Sequence, residues 1–227
     1  MTSKTPVLMT AATRWEAEPL ARALGLPPSG EARWEGLSCG RRILLLKTGV
    51  GALKTRTALD GDCVAADYGL AVSAGLCGSL QEGVKSRDIV ADVEGVDEAY
   101  VEPLREVARA LHCPLHFGKI LHTNIVLNPE AKRRLGAEHR AAACDMETAA
   151  VRRWAFGKTP VLGLRAVLDE MDEDLPEDVP EKETTAALAQ FALSHASQLP
   201  LLVKTGWRSA RAMKALSRLL RAYLEAL

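Results

Sequence analysis

The sequence lacks a surplus of charge of either sign. Its 227 residues include 29 lysines and arginines and 29 aspartates and glutamates, so the formal net charge is zero. Because a balanced charge gives no reason to expect an acidic partner, we predict no binding to nucleic acid. The balance hides an acidic stretch between residues 169 and 183 and a basic one between 204 and 221. Such blocks are typical of solvated faces that pair with each other or with a partner.

Other features are also missing. No apolar run is long enough to span a bilayer, and residues 1–6 lead into an apolar run without the pattern of a signal peptide. The five cysteines are dispersed and contain no Cys-x-x-Cys pair, which disfavours a zinc site or a disulfide framework. We therefore expect a cytoplasmic protein with reduced, buried thiols. The sequence shows no internal repeat and no domain boundary, so we predict one domain over 1–227, with 199–227 as a helical extension.

Apolar runs that indicate strands alternate with segments of helical spacing. The runs are continuous and do not alternate with polar residues, which is typical of a largely parallel sheet covered on both faces. We predict a three-layer α/β/α sandwich with a mostly parallel, mixed central sheet. The predicted strands are 7–12, 42–48, 70–75, 88–92, 118–126 and 160–169.

Carboxylates stand where predicted strands end. Glu16 lies in the first turn of a helix capped by Thr13, just past the first strand, and Asp169 ends the last strand. Ligands of open α/β sheets bind at the carboxyl ends of the strands. Acidic residues are also favoured in a first helical turn, and Asp169 belongs to the acidic stretch as well. The residues alone leave a capping or solvated role open beside a functional one.

Asp145 and Glu147 stand two positions apart, before a helix that begins near Thr148. Two such side chains cannot point the same way on a helix or on a strand. We therefore expect different roles, with one carboxylate facing a pocket and the other capping the helix.

Two glycine-bearing loops are predicted. The first, 48–51, joins a strand to a helix, a geometry whose backbone N–H groups favour anionic or electron-rich ligand atoms. Lys54 stands where a nucleotide fingerprint has its third glycine, so a plain tight turn explains this loop equally well. The second predicted loop covers 76–80.

The C-terminal stretch from Trp207 to Leu227 has the spacing of an amphipathic helix. In the simpler interpretation its apolar stripe packs on the protein body and its basic residues meet water. In the other, the basic face beside tryptophan and leucine binds anionic lipid headgroups, which would place the protein at the membrane surface. The stripe comprises Trp207, Met213, Leu216, Leu220, Tyr223 and Leu227.

These pieces follow one another in a recognisable order along nearly the whole chain. The strand leading to Glu16, the two glycine loops and the segments 145–147 and 165–169 together resemble the nucleoside phosphorylase/nucleosidase family, which includes methylthioadenosine/S-adenosylhomocysteine nucleosidase. The segments 169–176 and 198–212 resemble its hopanoid-associated phosphorylase branch, whose members are implicated in removing adenine from adenosylhopane. The resemblance implies an enzyme that cleaves the N-glycosidic bond of an adenosine-type nucleoside or nucleoside-lipid.

The resemblance also implies roles for individual residues. Asp169 matches the family's acid at the base, Glu147 the carboxylate that binds the ribose hydroxyls, and Glu16 the residue that binds the attacking water. Met146 matches a residue that packs on the sugar. No metal or other cofactor is implied, phosphate is the alternative nucleophile, and a homo-oligomer is expected. The loops bordering sugar and nucleophile would contribute Gly49, Gly51, Gly75, Leu76, Cys77 and Gly78, and the base pocket Val126 and His122.

The chain departs from the family at four of these positions. Leu76 stands where nucleosidases carry a serine, and Ser73 where related phosphorylases carry a phosphate-binding arginine. Val126 replaces an aromatic residue that stacks on the base, and His122 begins a segment that is Ser-Gly-Asp-like in nucleosidases. The missing arginine favours hydrolysis over phosphorolysis. The departures also leave open a nucleoside-binding protein without activity, a membrane-docked interaction module, and a purely structural role for the histidine.

Overall fold

The computed structural model describes residues 4–175 and 199–227, and the side chains of the second range from residue 203 onward. The strands are β1 (Lys4–Ala11), β2 (Pro28–Gly30), β3 (Arg33–Ser38), β4 (Arg41–Lys47), β5 (Leu70–Ser79), β6 (Ile89–Asp92), β7 (Leu115–Phe117), β8 (Lys119–His122), β9 (Ala141–Asp145) and β10 (Val161–Asp169). The helices are α1 (Arg14–Leu24), α2 (Ala52–Asp62), α3 (Glu98–Ala110), α4 (Pro129–His139), α5 (Thr148–Ala155) and α6 (Leu199–Ala226), with a short 3₁₀ turn at Ala65–Asp67.

The strands form one mixed sheet with a parallel centre. Its order is β2-β3-β4-β1-β5-β10-β6-β7, and β9 joins it beside β5, with β8 beside β9. The strands β4, β1, β5 and β10 run in one direction, whereas β3 is antiparallel to β4 and β6 is antiparallel to β10. The carboxyl ends of β1 and β10, which carry the predicted carboxylates, therefore lie at one edge of the sheet.

Helices cover both faces of the sheet. Along β1, Val7 and Met9 belong to one apolar cluster and Leu8 to another, because successive side chains point to opposite faces. The first cluster contains residues of α1, α3 and α6, and the second contains Leu59 of α2 and Trp154 of α5. The predicted three-layer α/β/α sandwich is confirmed. That 1–227 is a single domain with a helical extension stays a prediction.

The second glycine loop is the main error of the sequence-based fold. Residues 76–79 are not a loop, because β5 continues through Gly75 and Gly78 to Ser79. Gly78 and Ser79 pair with β9. Glycine inside a strand marks a close approach of other groups, and polar side chains do lie against both of these glycines. The strand predicted over 118–126 also ends early, at His122.

The second half of α6 packs on the protein body. Met213, Leu216 and Tyr223 are fully buried, and the Tyr223 hydroxyl donates a hydrogen bond to the Tyr100 carbonyl at 2.9 Å. The predicted stripe is wrong at its first member, because Trp207 is 58% exposed. None of the described helices combines the length and apolar character needed to cross a membrane.

The acidic and basic stretches meet at Glu173. Its carboxylate lies 2.6 Å from Nη1 of Arg208 and 3.8 Å from Nζ of Lys204, both on α6. The predicted pairing of the two charged stretches is thus found at this point, while positions 176–183 of the acidic stretch lie outside the described residues. The five cysteines are free thiols, two of them buried and three half-buried.

Candidate active site

The site is built around Arg165, an arginine inside the apolar strand β10. Its side chain is 1% exposed, and Nη2 lies 2.7 Å from Oδ2 of Asp145, while Nη1 lies 3.4 Å from Oε2 of Glu147. Nη2 also donates to the Ser73 hydroxyl at 2.9 Å. Burial lowers the pKa of this guanidinium, but the surrounding carboxylates outweigh it and raise the pKa. Since a buried charge requires partners, these carboxylates hold the guanidinium in the core.

Glu147 connects this arginine to the start of α2. The backbone N–H of Gly51, the N-cap of α2, donates to Glu147 Oε1 at 2.8 Å. The first glycine loop thus binds a side chain of the protein through one backbone N–H, and its contact with a ligand stays a prediction. Burial raises the pKa of Glu147 to about 7, against the opposing effect of Arg165. Each carboxylate oxygen has a further lone pair, so Glu147 can still accept hydrogen bonds from a diol.

Asp145 caps α5. Its Oδ2 accepts from the Thr148 backbone N–H at 3.1 Å and from the Thr148 hydroxyl. Asp145 and Glu147 were expected to point in different directions, whereas both converge on Arg165. Their roles still differ, because Asp145 closes the helix end while Glu147 reaches across to α2.

Glu16 approaches the same arginine from α1. It forms a capping box with Thr13, whose N–H donates to Oε2 at 2.9 Å, and its Oε1 accepts from the Leu76 N–H at 2.7 Å. A Cβ at Gly75 would stand 2.5 Å from Glu16 Oε1 and 2.6 Å from Arg165 Nη1. Only glycine therefore fits where β5 passes these two groups. Glu16 Oε1 keeps a lone pair that can hold a water molecule.

Asp169 forms a second buried group further along β10. A Cβ at Gly78 would stand 3.0 Å from its Oδ2 and 3.3 Å from Sγ of Cys144. Nζ of Lys132, on α4, lies 2.5 Å from the same oxygen. Burial raises the pKa of Asp169, and Lys132 opposes this. The rise of a strand puts the Cα atoms of Arg165 and Asp169 about 13 Å apart, so the two groups occupy separate positions along β10.

No protein-family model and no curated protein matches the chain. Solved structures do match it. A futalosine hydrolase mutant of Helicobacter pylori strain 26695 superposes with a TM-score of 0.72 at 19% identity, over 99% of this chain and 100% of that chain. The 5′-methylthioadenosine/S-adenosyl homocysteine nucleosidase of Campylobacter jejuni gives 0.75 at 15%, over 99% and 100%. That of S. pneumoniae, with a transition-state inhibitor, gives 0.73 at 16%, over 97% and 99%.

The chain has the fold of these nucleosidases. At such identities the likeness concerns the fold, and the reaction has to be argued from the residues of the site.

Of the predicted base-pocket residues, His122 pairs with Asp145 across β8 and β9, whereas Val126 lies outside the strands. Val126 is 54% exposed in the loop between β8 and α4. His122 is half-buried at the end of β8, with Nε2 3.1 Å from the Asn124 side-chain oxygen. Met146 is half-buried between the two carboxylates of its segment, and Cys77 is buried in β5. Gly49 forms the turn before α2, with a φ of 85°.

Sequence reasoning missed two central residues. Arg165 lies in a segment that carries the family resemblance but has no predicted role, although an arginine inside an otherwise apolar strand is a usable signal of a buried ion pair. Lys132 was not singled out, because a lysine in a helix usually faces water. Both side chains are 1% exposed.

Two cavities lie at opposite ends of the parallel strands, and each is a possible position for the site. One of about 150 Å³ opens beside Asp169 and is also lined by Glu173, Lys204 and Arg208. Another of about 400 Å³ is lined by Pro6 and lies at the opposite end of β1. We assign the site to the end with Asp169 despite the smaller volume, because that end holds the buried carboxylates and the carboxyl ends of the parallel strands.

Replacing Glu147 with glutamine is expected to stabilise the protein at alkaline pH. Because burial raises the pKa of Glu147 in the native state, ionising this group costs native stability. The stability contributed by the neutral group is fully present below about pH 4.5 and is lost as the pH rises through 7. Glu147→Gln should therefore unfold like the wild type at pH 5 and be about 1–3 kcal/mol more stable at pH 8. Urea unfolding at both pH values measures this difference. The exposed Glu138→Gln is the control, and an equal stability difference at both pH values would contradict the expectation.

Proposed function

We propose that the protein hydrolyses the N-glycosidic bond of an adenosine-type nucleoside and releases adenine. The observation that carries this proposal is the pairing of two buried groups on β10. Arg165 gathers Glu147 and Asp145, with Glu16 beside them, and Asp169 stands further along the same strand. A nucleoside with its sugar at the first group and its base at the second would connect them.

The chemistry follows from this placement. As the bond from the anomeric carbon to N9 breaks, its electron pair moves into the purine, and Asp169 donates a proton to N7. The sugar becomes a ribosyl cation, which the carboxylate of Glu147 stabilises while accepting hydrogen bonds from the hydroxyls. A water molecule on Glu16 attacks the anomeric carbon and gives its proton to this carboxylate. Free adenine and the free sugar are the products, and solvent restores both protonation states.

Water is favoured over phosphate as the nucleophile. Glu16, Asp145 and Glu147 surround the one guanidinium of Arg165, so the sugar side of the site carries an excess of negative charge that repels a phosphate dianion. Ser73, which stands where the phosphorylases have their arginine, is buried and carries no positive charge. Arg165 is committed to its carboxylates and is not available to an incoming anion.

Base release with and without phosphate tests this reaction. The purified protein is incubated with 5′-methylthioadenosine, S-adenosylhomocysteine, 5′-deoxyadenosine, adenosine, futalosine and adenosylhopane, and free purine is measured by chromatography. We expect release from at least one adenosine derivative at a rate that phosphate does not change, with the free sugar as the second product.

Two other results would overturn parts of the proposal. A strict need for phosphate, with a sugar 1-phosphate as product, would replace hydrolysis by phosphorolysis. If no compound releases its base, catalysis is refuted, and calorimetric binding of a nucleoside without turnover would instead support a binding protein on this scaffold.

Adenosylhopane is the proposed substrate within this class. The resemblance of the C-terminal segments to the hopanoid-associated branch supports it, and so do Val203 and Trp207, which are 69% and 58% exposed on the basic part of α6 and suit a lipid surface. Faster cleavage of adenosylhopane in vesicles than of 5′-deoxyadenosine would agree with this choice, and the reverse order would refute it. A homo-oligomer stays a prediction.

A further inference from the structure

A buried lysine touches the proposed acid. Lys132 comes from α4, its side chain is 1% exposed, and Nζ lies 2.5 Å from Oδ2 of Asp169. The same Nζ donates to the carbonyl oxygens of Glu170 at 3.0 Å and Glu173 at 2.5 Å. An ammonium has three N–H donors, and each has an acceptor here. Lys132 is therefore held in its charged form although it lies out of water.

A charge in this place calls for an explanation. Taking an ammonium out of water costs several kcal/mol, and an apolar side chain at this position of α4 would pack at no such cost. Two uncharged carbonyl oxygens would suffice to fasten the loop after β10 to α4. The contact with Asp169 has an additional effect, because it places a positive charge next to Oδ2 of the proposed general acid.

We propose that Lys132 is a positioning residue for Asp169, which directs the acidic proton to Oδ1 and sets the pH above which that proton is lost. The inference rests on the proposed function. Because the ammonium lies 2.5 Å from Oδ2, a proton on Asp169 is more stable on Oδ1. The same positive charge stabilises the carboxylate and so limits how far burial can raise the pKa of Asp169.

The other titratable groups around Asp169 include Lys204 and Arg208, which line the same cavity and pair with Glu173. Cys144 of β9 and Cys77 of β5 are thiols whose pKa burial raises, that of Cys144 to about 12, so both stay neutral in the working range. Glu173 follows in the next loop. Burial raises its pKa, but hydrogen bonds from Arg208 and the Glu170 backbone, together with the charges of Arg208 and Lys204, outweigh this and lower it, so Glu173 stays ionised.

The test compares Lys132→Met, Lys132→Gln and Lys132→Arg with the exposed control Lys119→Met. Without the ammonium, Asp169 should keep its proton to higher pH. The alkaline limb of kcat for adenine release should therefore move upward by about 1 pH unit or more in the Met and Gln variants. Lys132→Arg keeps a positive charge and should retain the wild-type limb, as should Lys119→Met. A purely structural lysine would lower the rate at every pH without moving the limb.

A second readout does not depend on turnover. The infrared C=O stretch of a protonated carboxyl group, taken as the difference between each protein and its Asp169→Asn counterpart, reports the titration of Asp169 directly. We expect this band to persist to higher pH in Lys132→Met and Lys132→Gln. If the wild type releases no base, the proposed function is refuted, but the infrared band still tests whether Lys132 controls the titration of Asp169. An unmoved band in the folded glutamine variant would overturn the inference, and so would a moved limb in Lys132→Arg.

Discussion

Asp169→Asn is expected to lower the rate of adenine release by about 100- to 10,000-fold, the range commonly lost with a general acid. Asparagine matches the carboxyl group in shape but has no acidic proton for N7. The departing purine would then leave as an anion, which is a poor leaving group. The measurement is single-turnover base release at saturating nucleoside, so that the loss is assigned to the chemical step and not to binding.

The control for this variant has to separate chemistry from folding. Asp169→Asn also removes the counter-charge of Lys132, so some loss of stability is expected beside the loss of rate. Asp172→Asn is the matched substitution, because Asp172 is 68% exposed and pairs with Arg133 at the surface. It should change neither property by much. Near-normal turnover in a folded Asp169→Asn protein would refute the assignment of the acid.

Arg165→Met is expected to be the most destabilising single change in the site. Breaking a buried ion pair by removing one partner costs about 3–5 kcal/mol, a large part of the stability of an ordinary domain. Here the loss leaves Asp145, Glu147 and Glu16 close together without their shared counter-charge. Activity should disappear together with this stability. The measurement is urea unfolding of the variant and the wild type.

The pH dependence of this loss identifies its cause. Without the guanidinium the buried carboxylates bind protons more tightly in the native state than in the unfolded state, so stability should return as the pH falls. The gap between Arg165→Met and wild type is therefore expected to be smaller at pH 5 than at pH 8. A gap that is independent of pH would mean that packing and not charge explains the loss. Arg56→Met, at an exposed i, i+4 pair, is the control and should stay within about 0.5 kcal/mol of wild type.

The layered fold follows from local features of the sequence. Continuous apolar runs gave the central strands, and the pattern from Thr13 to Glu16 gave the start of α1 with its capping box. The error at β5 has a physical reason: Gly75 and Gly78 suggest a turn when only the sequence is considered. In the fold they are strand residues that lack a side chain because Glu16, Arg165 and Asp169 lie against them.

The site depends on contacts between residues that are far apart in the sequence, which no local sequence pattern predicts. The order of motifs pointed to Glu16, Glu147 and Asp169, and all three lie at the predicted edge of the sheet. Their counter-charges come from distant parts of the chain, Arg165 from within an apolar strand and Lys132 from a helix that looks solvent-facing in the sequence. Trp207 is a similar case, since helical spacing put it in the apolar stripe although its side chain is 58% exposed.

The burial of Glu147 has a consequence for the thermodynamics of ligand uptake. Near neutral pH, Glu147 exists as a mixture of its acid and its carboxylate, because its pKa is about 7. Ribose hydroxyls donate more strongly to the carboxylate than to the protonated acid, so a bound nucleoside favours the carboxylate. Uptake of the sugar is therefore coupled to the release of a fraction of a proton into the buffer. The heat of binding should vary with the ionisation enthalpy of the buffer, and this variation should vanish well above pH 7.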